Sequence, residues 1–168
     1  MPSLWKENKN RERRISMDNN PGKDKIKKDI TFCDLYNAFL VYRRIFERFD
    51  NGTYNDASDI IGEVLIKSLI CEIGMKALLM NEGKNIIREH KLDNLFIKLS
   101  DETKLEMAKR SHYALNEFQV LLSINSDHFV GWRYFYEGHC EKFHPNFIDR
   151  LIKALEEKLK DISNNIKP

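Results

Sequence analysis

Apolar residues recur along this chain at the three-to-four-residue spacing of helix faces, and no stretch alternates convincingly with the period of two that marks a strand. From Thr31 onward, Phe32, Leu35, Tyr36, Phe39, Phe46 and Phe49 fall largely on one face. That helix is predicted to end at DNGTYND, where Asn51 and Gly52 supply a turn. A second helix is predicted from about Ala57 to Asn81. Ile60, Ile61, Val64, Leu65, Leu69, Ile73, Leu78, Leu79 and Met80 wrap most of its surface, which marks it as the central helix, and Gly83 stops it. A short helix follows, with Leu92, Leu95, Phe96 and Leu99 on one side. Ser100 is the predicted N-cap of a fourth helix carrying Leu105, Ala108, His112, Leu115, Phe118 and Leu122, with His112 at the edge of the core. Pro145 opens a last helix striped by Phe147, Leu151, Leu155, Leu159 and Ile162. The expectation is an all-α bundle of four to five helices, in one domain over residues 30–168.

Charge separates that domain from what precedes it. Residues 1–29 hold nine Lys or Arg against five Asp or Glu, with Pro2, Pro21 and Gly22 and no sustained apolar period. They read as a basic, flexible arm. The rest of the chain balances at −2, although the whole carries +2. A domain built to grip long duplex nucleic acid carries the opposite balance. No apolar run reaches the roughly 20 residues of a membrane span; even VLIKSLICEIGMKALLM is broken by Lys67, Glu72 and Lys76. Without a hydrophobic leader segment, and with Cys33, Cys71 and Cys140 too scattered for a disulfide framework, the expected setting is cytoplasmic.

The chemistry concentrates late. GWRYFYEGH, residues 131–139, sets Trp132, Tyr134, Phe135 and Tyr136 around Arg133 and Glu137. Arg133 and Glu137 form an i, i+4 pair, as do Trp132 and Tyr136. Glu72, on the apolar second helix, also needs a partner, because an unpaired buried carboxylate is costly. An arginine fork suits it best, so packing and one ion pair among Arg133, Glu137 and Glu72 account for the segment. HCEKFH brings together His139, Cys140, Glu141 and His144, but lacks the second ligand pair of a structural zinc site, and no metal is expected. His144 reads as a helix-start residue, and His90 as a cap or backbone partner of the short helix. No GxSxG and no glycine-rich phosphate loop occur, so no cofactor is called for.

The run CEIGMKALLMNEG followed by HKLDNLFIKLS resembles the HEPN family. There a central helix ending in a "KALL" run precedes a His-x-Leu-x-x-Leu lead-in to the next helix. The matching positions are Lys76, Ala77, Leu78 and Leu79, then His90, Leu92 and Leu95. FVGWRYFYE looks like the aromatic-Arg-aromatic stretch before the last helix of some HEPN-like bacterial proteins. The resemblance covers roughly residues 30–165. It implies a homodimeric helical bundle in a prokaryotic defence, toxin–antitoxin or stress system, with RNA, a cognate antitoxin or a nucleotidyltransferase-type protein as partners. Many members are metal-independent endoribonucleases whose signature is Arg, four to six residues, then His. Arg133 and His139, five residues apart, fit that spacing; Arg88 with His90 and Arg110 with His112 stand too close. By resemblance Arg133 would hold the scissile phosphate and His139 would shuttle protons. Tyr134 stands where many members carry a polar residue, and Gly138 precedes the histidine. A six-residue helical step leaves the two side chains about 120° apart, so they would need a partner subunit or a break at Gly138 to meet. Two readings therefore stand: a non-catalytic RNA-associated or protein-interaction module, and a ribonuclease using Arg133 and His139.

Overall fold

The computed structural model describes residues 30–49, 57–84, 88–127, 131 and 143–166. The basic arm over 1–29, and the segment containing Arg133, Glu137, His139, Cys140 and Glu141, lie outside the described residues. The described residues form an all-α bundle. Its helices are α1 (Phe32–Phe49), α2 (Ala57–Asn81), α3 (Leu92–Ile97), α4 (Asp101–Arg110), α5 (Leu115–Ile124) and α6 (Pro145–Ile166). None of them is long and apolar enough to cross a membrane.

Helix α1 begins with a capping box. Thr31 Oγ1 accepts from the Asp34 N–H at 3.2 Å, and the Asp34 carboxylate accepts from the Thr31 N–H at 3.0 Å. Phe32, Phe39 and Phe46, seven residues apart, are buried ring side chains of α1. Helix α2 packs between α1 and α6 and is buried along most of its length, as its apolar wrapping predicts. The three helices close on Gly74. A methyl group there would stand 3.0 Å from Leu155 Cδ1 and 3.2 Å from Phe39 Cε2, so the glycine sets how closely α1 and α6 approach. Helix α2 stops as predicted at Gly83, whose φ of 69° closes a Schellman motif. The Lys84 N–H reaches the Leu79 carbonyl at 2.9 Å, and the Gly83 N–H reaches that of Met80 at 3.0 Å.

Ser100 caps α4, its hydroxyl accepting from the Thr103 N–H. The predicted fourth helix nevertheless does not run on to Leu122. It breaks over residues 111–114, which raises the number of helices among the described residues to six. His112 takes φ 60°, its N–H bonds the Lys109 carbonyl at 3.0 Å, and the Tyr113 N–H bonds that of Ala108 at 3.1 Å. This is a second Schellman motif, with histidine at the left-handed position usually given to glycine. Two expectations fall with it. His112 is exposed rather than a core-edge residue, and Leu105 is 57% exposed; Thr103, Met107 and Ala108 form the buried stripe of α4 instead. The break redirects α5, placing Phe118 5.0 Å from Phe96 and 5.4 Å from Phe147 between ring centroids. A cluster of Arg110 with Glu106 and Asp161, each at 2.7 Å, and of Lys158 with Glu106, then ties α4 to α6.

Candidate functional site

A buried polar constellation sits on the second half of α2. Glu72 and Lys76 are one helical turn apart, and Lys76 Nζ donates to Glu72 Oε1 at 2.6 Å. The same oxygen lies 3.1 Å from His90 Nδ1. Side-chain exposure falls from 50% at His90 to 6% at Glu72, so the imidazole spans from the surface to a carboxylate inside the fold. Glu72 Oε2 is enclosed and has no hydrogen-bond partner among the described residues. The carboxylate can only accept, which puts the proton of neutral His90 on Nδ1 and makes Nε2 the basic nitrogen of the ring.

The turn that carries His90 is built by its own neighbours. Glu89 Oε1 accepts the N–H groups of His90 and Lys91, both at 2.9 Å, and Glu89 Oε2 accepts from Asn94 Nδ2 at 3.0 Å. The Lys91 N–H leads in holding the Glu89 carboxyl below the usual carboxylate range, and the His90 and Asn94 bonds add to it against a desolvation that opposes them. The sequence offers His90 as a cap or backbone partner of the short helix; the N-cap position falls one residue later. The N-cap of α3 is Lys91, whose side chain makes no capping bond. Ser126, far along the chain, does that work: its carbonyl accepts from the Leu92 N–H at 3.2 Å and its hydroxyl from the Asp93 N–H at 3.0 Å.

Beside this cluster the chain leaves α5 and later enters α6. Lys91 Nζ pairs with Asp127 at 3.0 Å. Asn125, fully buried, donates to the Leu121 carbonyl at 2.7 Å and accepts the His144 N–H at 3.0 Å. Residues 125 and 144 are thereby clasped together, and between them runs the sequence with Trp132, Arg133, Tyr134, Phe135, Tyr136, Glu137 and His139. Of the predicted site residues, Glu72 is thus placed, buried as expected, with Lys76 and His90 as the partners seen on it; Arg133, Glu137 and His139 fall outside the described residues. His144 stands at the start of α6 as predicted, its carbonyl accepting from the Phe147 N–H at 3.1 Å. Sequence reasoning missed Lys76 as the partner of Glu72, although the i, i+4 spacing signals it. The His90 contact has no local signal.

A second buried charge supplies contrast. Lys67 on α2 is met by Glu63 and, at 2.6 Å, by Asp149 of α6, with the Phe46 ring 5.0 Å away. Burial disfavours its charge, but the hydrogen bonds to Asp149 and Glu63 outweigh this and raise its pKa. Cys71, one turn on, is fully buried; desolvation first, then the charge of Asp149, hold its thiol protonated far above the usual range. That removes it as a nucleophile. No group of three or more His, Cys, Asp or Glu side chains placed to hold a metal occurs among the described residues.

Compared with protein-family models, with curated proteins and with solved structures, the chain matches none.

Proposed function

We propose that this chain is a HEPN-like helical module of a prokaryotic defence, toxin–antitoxin or stress system. It acts as a homodimeric, RNA-associated or protein-interaction domain and does no catalysis of its own. The observation that carries this reading is the pairing of Glu72. Its charge is met inside the fold by Lys76 at 2.6 Å, and His90 closes the same oxygen at 3.1 Å. Such a cluster fastens the turn before α3 onto the central helix, which is a structural task. The resemblance supports the reading from the other side: Ala77, Leu78, Leu79, Leu92 and Leu95 of its apolar motif are all core residues. In this reading Arg133 serves packing, paired with Glu137 one turn on. Trp132, Tyr134 and Tyr136 give their segment the Trp, Tyr and Arg composition favoured at protein contacts.

The second reading is a metal-independent endoribonuclease using Arg133 and His139 at the dimer seam; what supports it is the spacing of the two, with five residues between them.

Sedimentation velocity of the purified chain, with a gel-shift of a labelled single-stranded RNA run beside it, tests the first reading. A dimer that leaves the RNA intact is the expected result. A monomer at every concentration would remove the dimeric module, and RNA shortened during the incubation would transfer the case to the nuclease.

A further inference from the structure

A groove of about 450 Å³ opens where α4 breaks into α5, lined by Leu105, Ala108, Lys109, His112, Tyr113 and Leu115. Its floor is aliphatic, and Leu105 is one of the most exposed large apolar side chains among the described residues. Its rim is cationic. Lys109 and His112 line it directly, and Arg150 of α6 lies 5.2 Å over the Tyr113 ring. Arg110, next to Lys109, is saturated by Glu106 and Asp161 at 2.7 Å, with Glu157 at 3.8 Å. Carboxylate pairing of this kind recurs in the molecule, as with Arg43 on Glu47 and Glu156. Among the described residues neither Lys109 nor Arg150 has a carboxylate partner, which is also true of exposed Arg44, Lys153 and Lys160; what sets the first two apart is that they flank an apolar groove.

We propose that this groove docks an acidic, amphipathic segment of a partner protein. An apolar side chain would seat on Leu105, Ala108 and Leu115, and flanking carboxylates would meet Lys109 and Arg150. The floor argues for a peptide over a nucleic acid. Single-stranded RNA is held by free aromatic faces. Here the ring in the lining, Tyr113, is covered by the Arg150 guanidinium and tilts against Phe147 at 5.6 Å. The break that shapes the groove also holds His112 at φ 60°, a conformation a non-glycine residue rarely takes, with its side chain on the rim. The groove is separate from the Glu72–His90 cluster, and its occupancy does not depend on whether the chain is HEPN-like.

Fluorescence anisotropy with a labelled synthetic peptide, a helix of Glu and Asp with Leu on one face, tests the proposal on the full chain. Binding is expected, with amide shifts over residues 105–115 in a parallel NMR titration. Leu105→Asp and the double variant Lys109→Glu/Arg150→Glu should each weaken it by about tenfold or more at an unchanged melting temperature. All three side chains are exposed, so the variants are expected to fold. No binding would overturn the proposal. So would binding indifferent to Leu105→Asp, which would be surface charge alone, or capture of an oligouridine RNA in place of the peptide.

Discussion

His90 Nδ1 and Glu72 Oε1 lie 3.1 Å apart, joining a half-exposed imidazole to a carboxylate on the buried face of the central helix. Lys76 completes the group at 2.6 Å. Removing the lysine leaves the carboxylate enclosed, with His90 as its partner among the described residues. Lys76→Met is therefore expected to cost about 3 kcal/mol, as for other broken buried pairs. His90→Ala, which removes a half-exposed group, should cost about 1 kcal/mol. Urea unfolding of both variants checks the order; a larger loss for His90→Ala would contradict it.

Asn125 holds two pieces of backbone at once. In Asn125→Ala the His144 N–H and the Leu121 carbonyl lose their side-chain partner, and a loss of about 2–3 kcal/mol is expected. Hydrogen exchange should show the His144 amide losing its protection. A protected amide in the variant would mean the clasp is not what holds α6 to the end of α5.

Glu82 joins the end of α2 to the start of α4. Its carboxylate accepts from the Ser100 N–H at 2.9 Å, from Thr103 Oγ1 at 2.6 Å, and from Lys84 Nζ at 2.6 Å. Burial works against its charge, but these bonds prevail and lower its pKa from 4.5 to about 2. A depressed carboxylate pKa stabilises the fold above the unfolded value, and the contribution fades as pH falls from about 4.5 toward 2. Wild type should exceed Glu82→Gln by up to about 3 kcal/mol at pH near 7, and the gap should close in acid. A gap unchanged between neutral and acidic pH would refute the assignment.

His112 occupies a left-handed position without glycine's freedom. His112→Gly should leave stability unchanged or raise it by up to about 1 kcal/mol, whereas the β-branched His112→Val should lower it by more than about 1 kcal/mol. Thermal melts of the two variants decide this. Equal losses in both would show that the imidazole, not the backbone, matters there.

The periodic features of the fold were legible in the sequence. The central place of α2 follows from its apolar wrapping, and Gly83, Ser100 and Pro145 mark three helix ends through known backbone requirements. What escaped depends on distant or unmarked contacts. The apolar spacing from Ala108 to Phe118 continues through the break, and His112 carries none of the signal a glycine would have given. The cap of α3 comes from Ser126, and the second partner of Glu72 from His90, both brought in by tertiary packing. The Glu72–Lys76 pair, by contrast, was open to reading from its spacing alone.

The most direct test of the non-catalytic reading is a metal-free RNA cleavage assay in EDTA, with wild type, His139→Ala and His90→Ala at matched purity. Intact RNA is expected with all three proteins. Cleavage by wild type that disappears in His139→Ala would contradict that reading and establish a ribonuclease that uses His139, with Arg133 as the next residue to replace.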